Sequence, residues 1–492
     1  MIKLVRTTVI CFIMVFFLSA VSLYAQQSFE EWKREQEQQF KSYLEEEDRA
    51  FARFLEEEWK QFQSYRGMVH DPNPKPPEIP QAPVSSTSDR RAEFSELEHE
   101  TINVTKPEKA EKPTSTEQPV EVMGGRYTAE VVLYGNEVSL GYDKQIVLDF
   151  SPPLTNKKFN TAWVEMAEWG GTTLLSNLKE YKNLFTLNDW GYFQLINKVS
   201  STLARGDRNK SSLITWFLLI KSGYDCRVCY ADNHVYLMVP VRNKLYNILY
   251  FYFSSSSPYY YLFRGSDPAT HISSFYTYEG DYPENLKPIT MDLKAIPKLS
   301  ADVHTRRVTF RYEGVEYEVV LQADKSLIVF AEYFPQTEIP LYFRTPASTV
   351  ARTSLFDSLR LIIEDKSELE AVNILLRFVQ TAFEYKTDDQ QFGREKPLFI
   401  EETLYYPYSD CEDRSILFAY LVRELLGLKV IGLDYPGHIA TAVRFTEPVK
   451  GDALMWEGER YTVCDPTYIN ANAGMTMPYY IGKSPSVIHI TN

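Results

Sequence analysis

The pattern of apolar and polar positions divides the chain into stretches of different character. Lys3 and Arg6 open it, Val9 to Leu18 form an apolar run, and Ala25 and Gln26 close that stretch. From 28 to 66 an 11-residue repeat takes over. Phe29, Phe40, Phe51 and Phe62 recur at that spacing, and Trp32, Tyr43, Phe54 and Tyr65 follow them by three. Eleven residues make three turns at about 3.67 per turn, so the repeat predicts a long helix with one aromatic stripe. From Asp71 to about Val120, Pro, Ser, Thr, Glu and Lys dominate. Too few apolar residues remain there to bury a core, and an extended, mostly disordered linker is expected.

The rest of the chain repeats an order of elements. Tyr127 to Phe150 and Arg307 to Phe334 read as β-rich, with hairpin turns at Tyr134-Gly135-Asn136 and Tyr312-Glu313-Gly314. Helical patterns follow near Leu187–Leu203 and Leu369–Phe383. A second, more apolar helix comes next, Leu213 to Ile220 stopped at Gly223, or Leu417 to Leu426 stopped at Gly427. Strands then lead to His234 and His438. The separations 411 − 207, 427 − 223 and 438 − 234 all equal 204. This predicts an α+β fold with a duplication: one lobe over 123–300 and another over 301–492, after segments 1–25, 26–70 and 71–122.

Composition and charge narrow the class. Residues 1–25 read as a secretory signal peptide, with an apolar run too short to span a bilayer. Cys11 lacks the small neighbours of a lipid-anchor site, and no later stretch reaches spanning length. An exported protein, periplasmic or extracellular, is therefore expected. The net charge of −14, with no basic block past the first residues, argues against nucleic acid. The aromatic stripe could pack on its own domain, or dock on a protein partner or a second copy.

Cys226, Cys229, Cys411 and Cys464 are too sparse for a disulfide framework in 492 residues. Cys226-Arg227-Val228-Cys229 has redox or zinc spacing. Without a second pair, in sequence that reads as a strand, it is better taken as two small core residues. No metal-ligand cluster, phosphate loop or nucleotide fingerprint stands out, so no cofactor is expected.

Candidate chemistry lies in the C-terminal lobe. Cys411 opens a helix behind Asp410, with Asp413 placed to complete a capping box. The positive end of the helix dipole favours a thiolate there, while acids at 410, 412 and 413 oppose it. His438 opens a strand after Pro436-Gly437, and alternation sets His438, Ala440 and Ala442 on one face. Glu457-Gly458-Glu459 turns the chain into a strand ending at Asp465-Pro466-Thr467, which antiparallel pairing can bring beside His438. A thiol, an imidazole and a carboxylate supply a nucleophile, its base and the group that orients the base. Tyr406 and Tyr408 are candidates for stabilising an oxyanion.

Over about 370–480 this arrangement resembles the transglutaminase-like superfamily of papain-related cysteine enzymes, in a secreted bacterial form. The resemblance rests on the helix from Cys411 to Gly427, His438 on the following strands, and Tyr461 leading to Asp465-Pro466-Thr467. The family often has a small residue and Trp after its histidine, where this chain has Ile439 and Ala440. The resemblance implies a papain-like transglutaminase core with Cys411, His438 and Asp465 catalytic, no cofactor, and a peptide or protein amide as substrate. Acyl transfer, deamidation and proteolysis all remain open. In the earlier lobe Asp207 takes the cysteine position, and Tyr250 is expected where the acid would stand.

Overall fold

The structure is a computed structural model that describes residues 45–46, 48–56, 59–63, 79–82, 100–102, 124–253, 258–269, 272–278, 286–300 and 302–490. The expected signal peptide, the first half of the aromatic repeat and most of the linker lie outside the described residues.

Two short strands from the N-terminal part, β1 (Trp59–Gln63) and β2 (Glu100–Ile102), join one lobe each. The first lobe opens with the hairpin β3 (Tyr127–Leu133) and β4 (Asn136–Tyr142). Tyr134 and Gly135 both take positive φ, the conformation that a two-residue turn between twisted strands demands. Helices α2 (Asn156–Trp169), α3 (Thr172–Leu184), α4 (Asp189–Leu203) and α5 (Arg208–Lys221) follow, after helical residues 48–56, here α1. Strands β5 (Arg227–Ala231), β6 (His234–Pro240), β7 (Tyr250–Phe251), β8 (Tyr260–Arg264), β9 (Asp267–Pro268) and β10 (Ser274–Tyr278) complete a sheet in the order β1-β10-β5-β6-β8-β7, with β9 on β8.

The second lobe also runs from a hairpin through helices to a sheet. Its long hairpin, β11 (Val303–Tyr312) and β12 (Val315–Asp324), turns at Glu313-Gly314, again with positive φ at both. Six helices come next: α6 (Lys325–Glu332), α7 (Ile339–Arg344), α8 (Thr349–Ile363), α9 (Glu368–Thr381), α10 (Asp388–Phe392) and α11 (Ile400–Tyr405). A short parallel pair, β13 (Glu384–Tyr385) with β14 (Tyr408–Ser409), brings the chain to α12 (Cys411–Leu426). The sheet of β15 (Lys429–Tyr435), β16 (His438–Arg444), β17 (Ala453–Trp456), β18 (Glu459–Cys464) and β19 (Ser486–His489) then forms, in the order β17-β18-β16-β15-β19-β2.

The molecule is thus mixed helix and sheet, of the α+β kind. One apolar core runs through both lobes. Trp190 Nε1 donates to Tyr333 O at 2.9 Å, Thr337 Oγ1 donates to Lys244 O at 2.7 Å, and the rings of Tyr134 and Phe330 meet at 5.2 Å.

Three expectations change. The aromatic repeat is not one helix to residue 66, because Trp59–Gln63 pairs antiparallel with Ser274–Tyr278. Over the described part its rings face the first lobe: Phe51 meets Trp163 at 4.6 Å and Phe54 meets Tyr278 at 5.6 Å. Burying rings against aromatic neighbours satisfies the stripe without a partner there. The linker holds two ordered pieces, since β2 pairs parallel with β19 and residues 79–82 lie against the loop after β18. Finally, Tyr250 does not stand beside the histidine strand: it lies in β7, which pairs with β8, and the neighbour of β6 is β8.

Candidate active site

The sequence places a cysteine at the first position of α12. Asp410 precedes it in extended conformation, and Asp413 Oδ2 accepts from the Asp410 amide at 3.1 Å, one half of the expected box. Gly427 ends the helix at φ 68°, its amide donating to Arg423 O. The thiol therefore stands at the positive end of a 16-residue helix.

β15 returns along α12 and β16 runs back beside it, so the starts of α12 and β16 share one end of the lobe. Ser415 Oγ donates to Ile439 O at 2.9 Å and fixes that alignment. Cys411 lies one turn before Ser415, and His438 one residue before Ile439. The alternation of β16 decides the rest. Ile439, Val443 and Cys464 belong to the core shared with α12, while Ala440, Ala442 and Val463 belong to a cluster on the opposite face. His438 and Asp465 follow the second set. A thiol from α12 can meet the imidazole only around the end of the sheet, and the first position of a strand is where that is possible.

The fold joins His438 and Asp465 directly, Nε2 to Oδ2 at 2.9 Å. Asp465 Oδ1 accepts from the amides of Thr467 and Tyr468 at 2.9 and 3.1 Å, so the carboxylate is held on both oxygens. An ionised carboxylate only accepts, so the proton of the neutral ring sits on Nε2 and the basic lone pair on Nδ1. Nδ1 is buried and has no hydrogen-bond partner among the described residues. Cys411 Sγ donates to Glu412 Oε2 at 3.2 Å. Cys411, His438 and Asp465 are 0 %, 1 % and 2 % exposed, so the described state is closed.

Several side chains that spacing does not reveal build this site. Tyr480 stacks on the imidazole, with ring centres 4.9 Å apart and planes at 19°. Burial pushes its hydroxyl up to about 12, and the charges of Cys411, Tyr479 and Asp465 push the same way. Buried Gln380 of α9 donates from Nε2 to Asp465 O and to Ala471 O, both at 3.0 Å. Buried Arg414 donates to Phe383 O at 2.8 Å, to Gln380 O at 3.3 Å and to Ser409 Oγ at 3.1 Å. The signal for Gln380 was an amide four residues after Leu376 on an apolar helix face. Tyr480 carried no such signal.

The oxyanion candidates are engaged elsewhere. Tyr406 donates to Glu332 Oε1 at 2.9 Å, and Lys386 Nζ sits 3.6 Å over the Tyr408 ring. The Tyr385 hydroxyl, like that of Tyr480, is pushed up by burial first and then by the Cys411 charge. Cys464 is buried core, as are Cys226 and Cys229, all with free thiols.

Beside Cys411 the fold gathers acids that sequence distance concealed. Asp388 of α10 meets Asp410 and Asp413, with ligand oxygens all within 4.8 Å, and Asp410, Cys411 and Glu412 form an equally tight group. Burial first, and then neighbouring carboxyls, raise Asp388 and Asp410 well above the carboxylate range and Asp413 to about 7. Asp413 accepts from Leu398 N and Asp388 from Lys396 N, whereas neither Asp410 oxygen has a partner among the described residues. Such carboxyls either keep protons or suit a hard divalent cation.

The first lobe also brings a histidine strand beside a paired strand, with other side chains around the ring. Ala231 pairs with His234 across a two-residue turn, as Tyr435 pairs with His438. Leu237 pairs with Phe263 where Thr441 pairs with Cys464, so Arg264, not Tyr250, matches Asp465. Arg264 Nη2 lies 3.0 Å from His234 Nδ1. Asp207 caps α5 as Asp410 precedes α12, which leaves Arg208 at the position of Cys411.

The sequence matches no known family model, no curated protein and no solved structure at a significant level. Among the described residues no helix is long and apolar enough to cross a membrane.

Proposed function

We propose that this protein is an exported transglutaminase-like cysteine enzyme that acts on peptide or protein amides through a thioester on Cys411. The observation that carries the reading is the polarised imidazole: Nε2 is committed to Asp465 at 2.9 Å, while Nδ1 is buried without a hydrogen-bond partner among the described residues, at the end of the sheet that the α12 N-terminus shares. That is the tautomer a thiol needs in its base.

In the reaction the thiol turns from Glu412 to His438 and passes its proton to Nδ1. The sulfur attacks the amide carbonyl carbon, and the new C–S bond forms a tetrahedral intermediate. The C–N bond then breaks, and Nδ1–H returns the proton to the departing amine or ammonia. An amine or water attacks the thioester, gives its proton to Nδ1, and releases the thiol. Amine attack gives transfer, and water gives deamidation or cleavage. Asp465 holds the ring and offsets the imidazolium charge. The first lobe is then a duplicated copy retained as a platform, with Arg208, His234 and Arg264 in place of the reactive set.

The test is alkylation of Cys411 by iodoacetamide, followed by mass spectrometry. Faster reaction in the wild type than in His438→Ala supports an activated thiol, and equal rates overturn it. Incubation with a Gln-rich protein and a fluorescent amine separates incorporation from cleavage. The closed state favours one other reading, an exported scaffold whose three residues are structural, and equal alkylation rates would establish it.

A further inference from the structure

We infer that the loop after β18, with the tyrosine pocket beside His438, is a binding site for an extended peptide strand, occupied here by residues 79–82 of the chain itself. Ile79-Pro80-Gln81-Ala82 comes from the segment between β1 and β2 and runs parallel to that loop, Gln81 bridging Ile469. The Ala82 amide donates to Ile469 O at 2.8 Å. Ala82 is 3 % exposed and clusters with Tyr435, Tyr468, Met477 and Tyr480, whereas the Gln81 side chain faces solvent.

This is strand addition, in which main-chain bonding supplies affinity and a pocket for alternate side chains supplies selectivity. The apolar cluster that Ala82 joins reaches the site already described. Tyr480 stacks on His438, Tyr435 lies behind it, and the amide of Tyr468 holds Asp465. The sequence prepares its occupant. Ile79 and Ala82 each precede a proline, which biases both to extended backbone before docking, so little ordering entropy remains to oppose binding.

Resting on the enzymatic reading, the inference names its substrate class: an extended polypeptide with an alanine-sized residue for the tyrosine pocket. A short tether raises the local concentration of residues 79–82 to roughly millimolar, so the chain competes with its own substrate.

The test uses the full chain and a fluorescein-labelled peptide of residues 77–86. In Ala82→Arg the arginine cannot enter the pocket, and in Ala82→Pro the hydrogen bond to Ile469 is lost. Either variant should bind the peptide at least tenfold more tightly than the wild type by fluorescence anisotropy. Bound peptide should slow iodoacetamide alkylation of Cys411 at least fivefold, and a peptide carrying Ala82→Arg should do neither. Failure of both folded variants to bind the peptide overturns the inference, whatever the alkylation shows. Binding that leaves Cys411 unshielded overturns it too. Binding with shielding, but alkylation independent of His438, keeps the peptide site and sinks the enzymatic reading alone.

Discussion

Arg264 holds in the first lobe the register position that Asp465 holds in the second. Each follows the last residue that its strand pairs with the histidine strand, and both reach that histidine's ring, at 3.0 Å and 2.9 Å. An ionised carboxylate only accepts hydrogen bonds and a guanidinium only donates them, so the two partners bond to opposite forms of a ring nitrogen.

The lobes should therefore respond differently to the same substitution. His438→Ala and Asp465→Asn are expected to slow Cys411 alkylation by ~10²-fold or more, the size of effect that loss of a base or its orienting group produces. His234→Ala should leave the rate within about twofold. Alkylation kinetics of the three variants, with circular dichroism to check folding, decide this.

Gln380 carries a measurable load. Its amide is the bond from α9 to two carbonyls of the loop that carries Asp465. Gln380→Leu should cost about 2–3 kcal/mol in urea unfolding, because two buried carbonyls lose their donor. It should also slow Cys411 alkylation, since a loosened carboxylate holds the His438 ring less firmly. A variant that loses stability with an unchanged alkylation rate would make Gln380 structural only.

The buried acids predict an unusual pH dependence of stability. Asp388, Asp410 and Asp413 keep their protons in the folded protein to higher pH than in the unfolded chain, Asp413 to about 7. Between roughly pH 4 and pH 7 the unfolded state therefore releases protons first, and stability falls as pH rises through that window. Tm should be higher near pH 5 than at pH 8. Asp410→Asn keeps a good N-cap residue and removes one charge, so it should raise Tm at pH 8 and shrink the difference. A flat wild-type profile in metal-free buffer would show that the acids are not held as described.

Phe51 should matter to stability rather than to assembly. Its ring is buried between Trp163 and Trp216, at 4.6 and 6.2 Å. Phe51→Ala is expected to cost ~3 kcal/mol, the range for a buried aromatic. The sedimentation coefficient should not change. A changed oligomeric state at unchanged stability would return the stripe to a partner.

The chain's own order determined the local elements. The turns at Tyr134-Gly135, Glu313-Gly314 and Glu457-Gly458, the helix from Cys411 to Gly427 and the placement of His438 and Asp465 on one face were legible. Each depends on neighbours within a few residues: a positive φ that glycine accepts, a period of 3.6 or 2, a cap. Tertiary structure decided what depends on distant partners. It turned the end of the aromatic repeat into a strand, because Ser274–Tyr278 offered an open edge to Trp59–Gln63. It chose Tyr260–Arg264 over Tyr246–Tyr250 as the neighbour of His234's strand, since both stretches are apolar and tyrosine-bearing and pairing alone tells them apart. It also set Tyr480, Gln380 and Asp388 around Cys411, from segments 69, 31 and 23 residues away along the chain. Spacing carries no record of such meetings, because packing and hydrogen bonding act through space.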